Sequence, residues 1–217
     1  MRSAPEFWSR IAAKYAASPI SDIPAYEATM ERVVTHMPVK ARVLELGCGT
    51  GSTALRLAPH VHSIIATDFA QGMITQARAR PGADNVQFLC ADVFDPALEE
   101  AVFDVVLGFN LFHLVPDTPA AMARIHDLLT PEGLFISKSV CLGERALGVK
   151  FALMKRLIPL MQWIGKAPFV RYETIAGLEA DITGAGFDIL ERGDYPARPP
   201  NHFVVAKRSD PCHRRTT

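Results

Sequence analysis

Apolar residues recur at helical spacing near the start of the chain, where Phe7, Trp8, Ile11 and Tyr15 mark one face of a short amphipathic helix. A Pro/Ser-rich stretch, Ser18 to Pro24, ends it, and Ala25 to Met37 reads as a second helix. The period then changes. Short apolar runs predict strands at Arg42–Leu46, Ser63–Thr67, Val86–Cys90, Phe103–Phe109 and Leu134–Val140. Helical segments at Thr53–Ala58, Ala70–Arg80 and Pro119–Leu129 are interleaved with them. Such alternation implies crossover units and a mainly parallel sheet covered on both faces. A further helix, Thr174–Ala185, precedes two strands, Phe187–Arg192 and His202–Ala206. The Pro-rich loop Gly193–Asn201 has no room for a crossover helix, so these two strands are expected to pair antiparallel as a hairpin at the sheet edge.

The chain has 217 residues, enough for one α/β domain with a modest extension. Lys plus Arg equals Asp plus Glu at 23 each, so no global charge draws the protein to nucleic acid or an anionic membrane. Met1 to Glu6 has no apolar core and reads as mature protein, and no apolar run is long enough to span a bilayer. Four scattered cysteines (Cys48, Cys90, Cys141, Cys212) form neither a zinc pattern nor a disulfide framework, so reduced thiols, a cytoplasmic location and no metal are expected. Ser209 to Thr217 reads as a disordered tail.

The chemistry concentrates at Val43-Leu44-Glu45-Leu46-Gly47-Cys48-Gly49-Thr50-Gly51, an apolar strand running into a loop with glycine at alternate positions, then a helix. That order is what a nucleotide crevice needs. A dinucleotide fingerprint would place its third glycine at position 52, but Ser52 stands there and the glycine comes one residue early. The spacing G-x-G-x-G, preceded by Glu45, resembles the first motif of the class I S-adenosylmethionine-dependent methyltransferases.

The resemblance continues along the chain. Asp68 ends the second strand, where the family keeps an acid for the ribose hydroxyls, and Phe69 follows it. Met73 resembles the family's apolar residue beside the adenine, though a lone Met on a helix is as often core. Cys90-Ala91-Asp92-Val93 looks like the adenine-recognition turn: Asp92 would take the exocyclic amine and the Val93 N–H the ring, while capping a turn is the ordinary alternative for Asp92. Phe103 to Asn110 resembles the fourth-strand motif, with Asn110, Leu111 and His113 facing the reaction. The Asn/Asp-Pro-Pro-aromatic signature of base-amine methylation is missing, since the tip is Asn110-Leu111-Phe112-His113. Phe7 to Tyr15 resembles the N-terminal segment of the small-molecule branch, in which the tyrosine can close over the cofactor; Trp8 and Tyr15 read equally as core residues of an amphipathic helix.

The resemblance implies a Rossmann-like, doubly wound sheet of about seven strands, mainly parallel with an antiparallel C-terminal hairpin and helices on both faces. It implies one methyltransferase domain over residues 1–208, with a helical cap over 1–37 and a lid at the acceptor site over 141–172. The cofactor would be S-adenosyl-L-methionine, held by Tyr15, Glu45, Gly47, Cys48, Gly49, Gly51, Asp68, Phe69, Met73, Asp92, Val93, Asn110 and Leu111. The expected partner is a small-molecule acceptor rather than nucleic acid, for a monomer or homodimer. The alternatives are a nicotinamide-dependent oxidoreductase and a catalytically silent adenosylmethionine-binding protein.

His113 is the candidate general base, needed only if the acceptor is protonated at neutral pH; capping the following loop is its alternative role. His202 is a weaker base candidate, and Lys138 lies either near the acceptor or at the surface. In the 141–172 insertion, Leu147, Phe151, Met154, Ile158 and Met161 share a helical face, and every charged residue from Arg145 through Arg171 is basic. A lid over an apolar acceptor pocket is favoured, with transient docking on a membrane surface second, a dimer contact third and plain cover for the sheet as the alternative.

Overall fold

In the computed structural model, the described residues are 3–143, 158–159, 161–162, 167–197 and 200–209. Most of the lid segment, including Leu147, Phe151 and Met154, and the tail beyond Ser209 lie outside them.

Two helices open the chain, α1 (Ala4–Ala17) and α2 (Ile23–Thr35). Glu6 in the first turn of α1 accepts the Ser3 backbone N–H at 3.1 Å, and Asp22 caps α2 by accepting the Ala25 N–H at 2.9 Å. These caps satisfy donors that a helix start leaves without intrahelical partners. The alternating part follows as β1 (Arg42–Leu46), α3 (Ser52–Leu57), β2 (Ser63–Asp68), α4 (Gln71–Arg78), β3 (Val86–Cys90), β4 (Phe103–Phe109), α5 (Thr118–Leu128) and β5 (Leu129–Val140). The last elements are α6 (Ile175–Gly184), β6 (Phe187–Ala197) and β7 (Pro200–Arg208).

The seven strands form one sheet in the order β3-β2-β1-β4-β5-β7-β6. β1 pairs parallel with both β2 and β4, while β7 runs antiparallel between β5 and β6. The expected hairpin is therefore present, with β6 at the edge. The chain winds outward from β1 to β3, then returns to the other side of β1 with β4. That reversal is a topological switch point, and a crevice opens beyond the carboxyl ends of the strands that flank it.

Pleating decides what enters that crevice. Val43 faces the core layer with Met30, Val33 and Leu57 from α2 and α3, while Leu44 and Leu46 face the α5 and α6 layer with Ile125 and Leu178. With a period of two, Glu45 falls on the same face as Val43. A carboxyl group is thus built into an apolar layer. β5 starts earlier than expected, at Leu129, because Leu129 pairs with Phe103 before the irregular Pro131-Glu132-Gly133 stretch.

No helix among the described residues is long and apolar enough to cross a membrane, and no cluster of His, Cys, Asp or Glu among them could hold a metal ion.

Candidate active site

The loop after β1 turns through Gly49 at φ +54°, a left-handed conformation that glycine adopts without a Cβ penalty. Its backbone N–H donates to Asp68 Oδ2 at 3.0 Å, and the other carboxylate oxygen of Asp68 accepts the Ala70 N–H at 2.8 Å. Asp68 at the end of β2 therefore ties the glycine loop to the start of α4. Burial lifts its carboxyl above the usual range, against the lowering effect of those two N–H donors.

Glu45 is 3% exposed. One side of its carboxyl group receives the Ala54 backbone N–H, while Oε2 has no hydrogen-bond partner among the described residues. Burial, opposed by that N–H and reinforced by the Asp68 charge, pushes its pKa up to about 8. A buried polar atom without a partner costs roughly 1–3 kcal/mol. A cationic ligand group meeting Oε2 would remove that cost.

Around these residues lies a crevice of about 630 Å³. It brings together Tyr15, Glu45, Gly47, Cys48 and Gly49 at one end, with Asp68, Phe69, Met73, Asp92 and Val93 further along. Asn110 and Leu111 complete the set from the tip of β4. A Cβ placed on Gly47 would lie 2.8 Å from Leu111 Cδ1, so the two loops that flank the switch point touch. A Cβ placed on Gly49 would find only Tyr15 Cε1, at 3.9 Å. The space above Gly49 is open toward the crevice, a cradle that a side chain would fill. Asp92 accepts the Phe94 N–H at 2.8 Å, which shapes the turn after β3 and presents Phe94 to the crevice.

Two residues from the expected site stand apart. Gly51 does not line the crevice; at φ +78° its Cβ position lies 2.6 Å from Phe88 Cζ, so it permits packing of α3 on β3 and α4. His113 does not line it either. Its Nδ1 is buried with no hydrogen-bond partner among the described residues, and burial lowers its pKa. His202 is 4% exposed and held between carboxylates, with Nδ1 at 3.0 Å from Asp194 and Nε2 at 3.0 Å from Glu179. Lys138 is buried and donates to Thr29 Oγ1 at 2.8 Å; burial lowers its pKa, with Asp22 opposing.

Other lining residues went unmarked in the sequence. Ser18, Pro19, Ile20 and Ser21 from the α1–α2 connection line the crevice together with Tyr26 and with Leu114, Val115 and Pro116 from the loop after β4. Tyr26 bonds the Thr53 side chain, and burial raises its pKa. A Pro/Ser-rich connection carries no periodicity, so only its position after Tyr15 could have drawn attention to it.

The chain matches the family model described as a methyltransferase domain over residues 43–133, the stretch from β1 to the start of β5 that builds the crevice floor. Over that stretch the chain is similar to a methyltransferase domain. Similar proteins include an uncharacterized methyltransferase of Mycobacterium bovis, 32% identical over 109 residues, which cover 50% of this chain and 54% of that protein. A malonyl-[acyl-carrier protein] O-methyltransferase of Bacillus anthracis is 36% identical over 98 residues, covering 44% of this chain and 36% of that one. The chain thus spans about half or less of these relatives' length. Among solved structures, an S-adenosylmethionine-dependent methyltransferase from Mesorhizobium loti superposes with a TM-score of 0.67 over 86% of this chain and 99% of its own, at 20% identity. At that identity the likeness speaks for the fold. The methyltransferase match spans the glycine loop and the strand ends that line the crevice.

Proposed function

We propose that the protein transfers the methyl group of S-adenosylmethionine to a small acceptor with an apolar body, which enters between the α1–α2 connection and the loop after β4. The observation that carries this reading is the orphaned Oε2 of Glu45 beside the open cradle above Gly49. A buried carboxyl oxygen without a described partner and a backbone bare of side chains suit a ligand that brings a positive charge close to the chain, which would also favour loss of the Glu45 proton. In this assignment Asp68 holds the ribose hydroxyls through lone pairs that the Gly49 and Ala70 N–H groups leave open. Asp92 and Val93 meet the adenine edge, with Met73, Phe69 and Phe94 against its faces. Gly47, Cys48 and Gly49 border the methionyl portion under Tyr15, and Asn110 and Leu111 flank the reacting end.

The sulfonium supplies an already activated methyl group. The protein's share is to place the acceptor in line and exclude water, which contributes through proximity and orientation. No histidine among the described residues lines the crevice; His202 is buried and His113 half-buried outside it. An acceptor that arrives ionised needs no base. A carboxylate is ionised at neutral pH, and the name of the Bacillus relative describes O-methylation of a malonyl group. Carboxylates with an apolar chain are therefore the first acceptors to try, ahead of phenols, quinols, thiols and amines.

The test has two arms. Equilibrium dialysis with labelled S-adenosylmethionine should show saturable binding, and adenosylhomocysteine release should rise above the no-acceptor background with one acceptor class. Cofactor binding without turnover on any class would favour the silent binding protein instead.

A further inference from the structure

Helix α4 begins without a cap of its own, because Ala70 stands at its N-cap and offers no side-chain acceptor. The backbone N–H of Gly72 in its first turn donates instead to Ser9 Oγ of α1, at 3.1 Å. One helix supplies the cap of another. The approach behind that bond is close: a Cβ on Gly72 would lie 2.6 Å from Ser9 Cα, 2.6 Å from the Ser9 carbonyl oxygen and 2.9 Å from its carbonyl carbon. These are backbone atoms inside a helix, so no rotamer change relieves the clash. Within α4 itself, alanine is the better helix former. Only α1 requires a glycine at this position.

What α1 carries explains why the contact matters. Ala12 of α1 packs with Ala70 and Met73, and Trp8 and Ile11 pack against that cluster. Trp8 meets Tyr15 edge-on with ring centroids 6.4 Å apart, and Tyr15 overhangs Gly49. At the other end, Asp68 accepts the Ala70 N–H at the entry to α4. The Ser9–Gly72 contact therefore couples the cover over the methionyl end to the elements at the adenosine end.

We propose that the Ser9–Gly72 contact is the seat on which the N-terminal helix closes over the crevice, which makes Gly72 a positioning residue for cofactor retention. This rests on reading the crevice as the S-adenosylmethionine site. Gly72→Ala should push α1 off α4 while leaving the sheet intact. Its dissociation constant for S-adenosylmethionine, measured by calorimetry, should rise about tenfold or more, the scale of losing one lid contact outright. The melting temperature should fall only modestly, because the helix-forming gain of alanine within α4 offsets part of the packing lost from α1. Ser9→Ala removes the cap without a clash and should raise the dissociation constant roughly two- to tenfold, the worth of one hydrogen bond.

The chain has two tryptophans, so a Trp163→Phe background leaves Trp8 as the sole emitter. In that background Gly72→Ala should shift the Trp8 emission to the red without any ligand present. If seating Tyr15 is the purpose, Gly72→Ala should cost less than twofold in a Tyr15→Ala background, where the cover is already gone. Unchanged affinity and emission in both Gly72→Ala and Ser9→Ala would overturn the proposal, as would penalties for Gly72→Ala and Tyr15→Ala that simply add. A wild-type chain that binds no S-adenosylmethionine would instead overturn the functional reading, and the Trp8 emission would then decide the seat alone.

Discussion

Asp68 takes the backbone N–H of Gly49 on one carboxylate oxygen at 3.0 Å, so the acid at the end of β2 shapes the glycine loop before any ligand arrives. Its removal is expected to act twice. Asp68→Ala should weaken S-adenosylmethionine binding by about 1.5–3 kcal/mol, the range for hydrogen bonds to a charged group. It should also lower stability by roughly 1–3 kcal/mol, because the Gly49 and Ala70 N–H groups lose their acceptor. Calorimetric titration and urea melts separate the two effects. An unchanged dissociation constant would remove Asp68 from the ribose.

The glycines of the loop part company in the same way. Gly51→Ala drives a Cβ into the Phe88 ring at φ +78° and should cost about 2–4 kcal/mol of stability, from left-handed strain plus overpacking. Gly49→Val points instead into open crevice, where the nearest atom is 3.9 Å from the Cβ position. That variant should stay folded, paying mainly the left-handed strain of roughly 1–2 kcal/mol, and fail to bind S-adenosylmethionine. Thermal melts and equilibrium dialysis on the pair should give opposite patterns. A Gly49→Val chain that binds normally would move the ligand away from this loop.

Those two glycines mark the limit of what the sequence disclosed. The G-x-G-x-G spacing located the loop, and alternating runs located every strand of the sheet, because pleat and helix impose their periods directly on apolar residues. Both Gly49 and Gly51 have positive φ, yet only Gly49 borders the crevice; Phe88, the residue that separates their roles, lies on another strand. His202 was ambiguous for the same reason, since its carboxylates at Glu179 and Asp194 are brought to it by α6 and β6. The wall from Ser18 to Ser21 left no trace in the periodicity, because it lies between two helices and belongs to neither.

Glu45 should impose a pH dependence. Its folded pKa of about 8 lies above the ordinary glutamate value, so the folded chain holds a proton that the unfolded chain releases. Stability is then full below the unfolded pKa of about 4.3 and declines through the window up to about 8 as pH rises. The slope approaches one proton, about tenfold in the unfolding constant per pH unit. Glu45→Gln should flatten that slope and be the more stable chain at pH 8. Urea melts across pH 5–9 would show it, and parallel slopes in both chains would mean that Glu45 holds no proton in the fold.

The last prediction concerns His202, whose ring is sandwiched between Asp194 and Glu179 at 3.0 Å on each side. Each ring nitrogen faces one carboxylate, so the imidazole ties α6 to β6 through Glu179 and Asp194. Arg192 reaches Glu179 at 2.9 Å and neutralises part of that acid, while Asp194 depends more on the histidine. His202→Ala leaves a small cavity and two carboxylates facing each other, and should cost about 2–4 kcal/mol. Because His202 does not line the crevice, the affinity for S-adenosylmethionine should remain within a factor of two, as should turnover by the fraction that stays folded. His202→Gln, which can serve one carboxylate as donor, should recover part of the stability. Thermal melts read the first effect and adenosylhomocysteine release at a temperature below the transition reads the second. A folded His202→Ala chain whose turnover falls by orders of magnitude would place this imidazole at the acceptor after all.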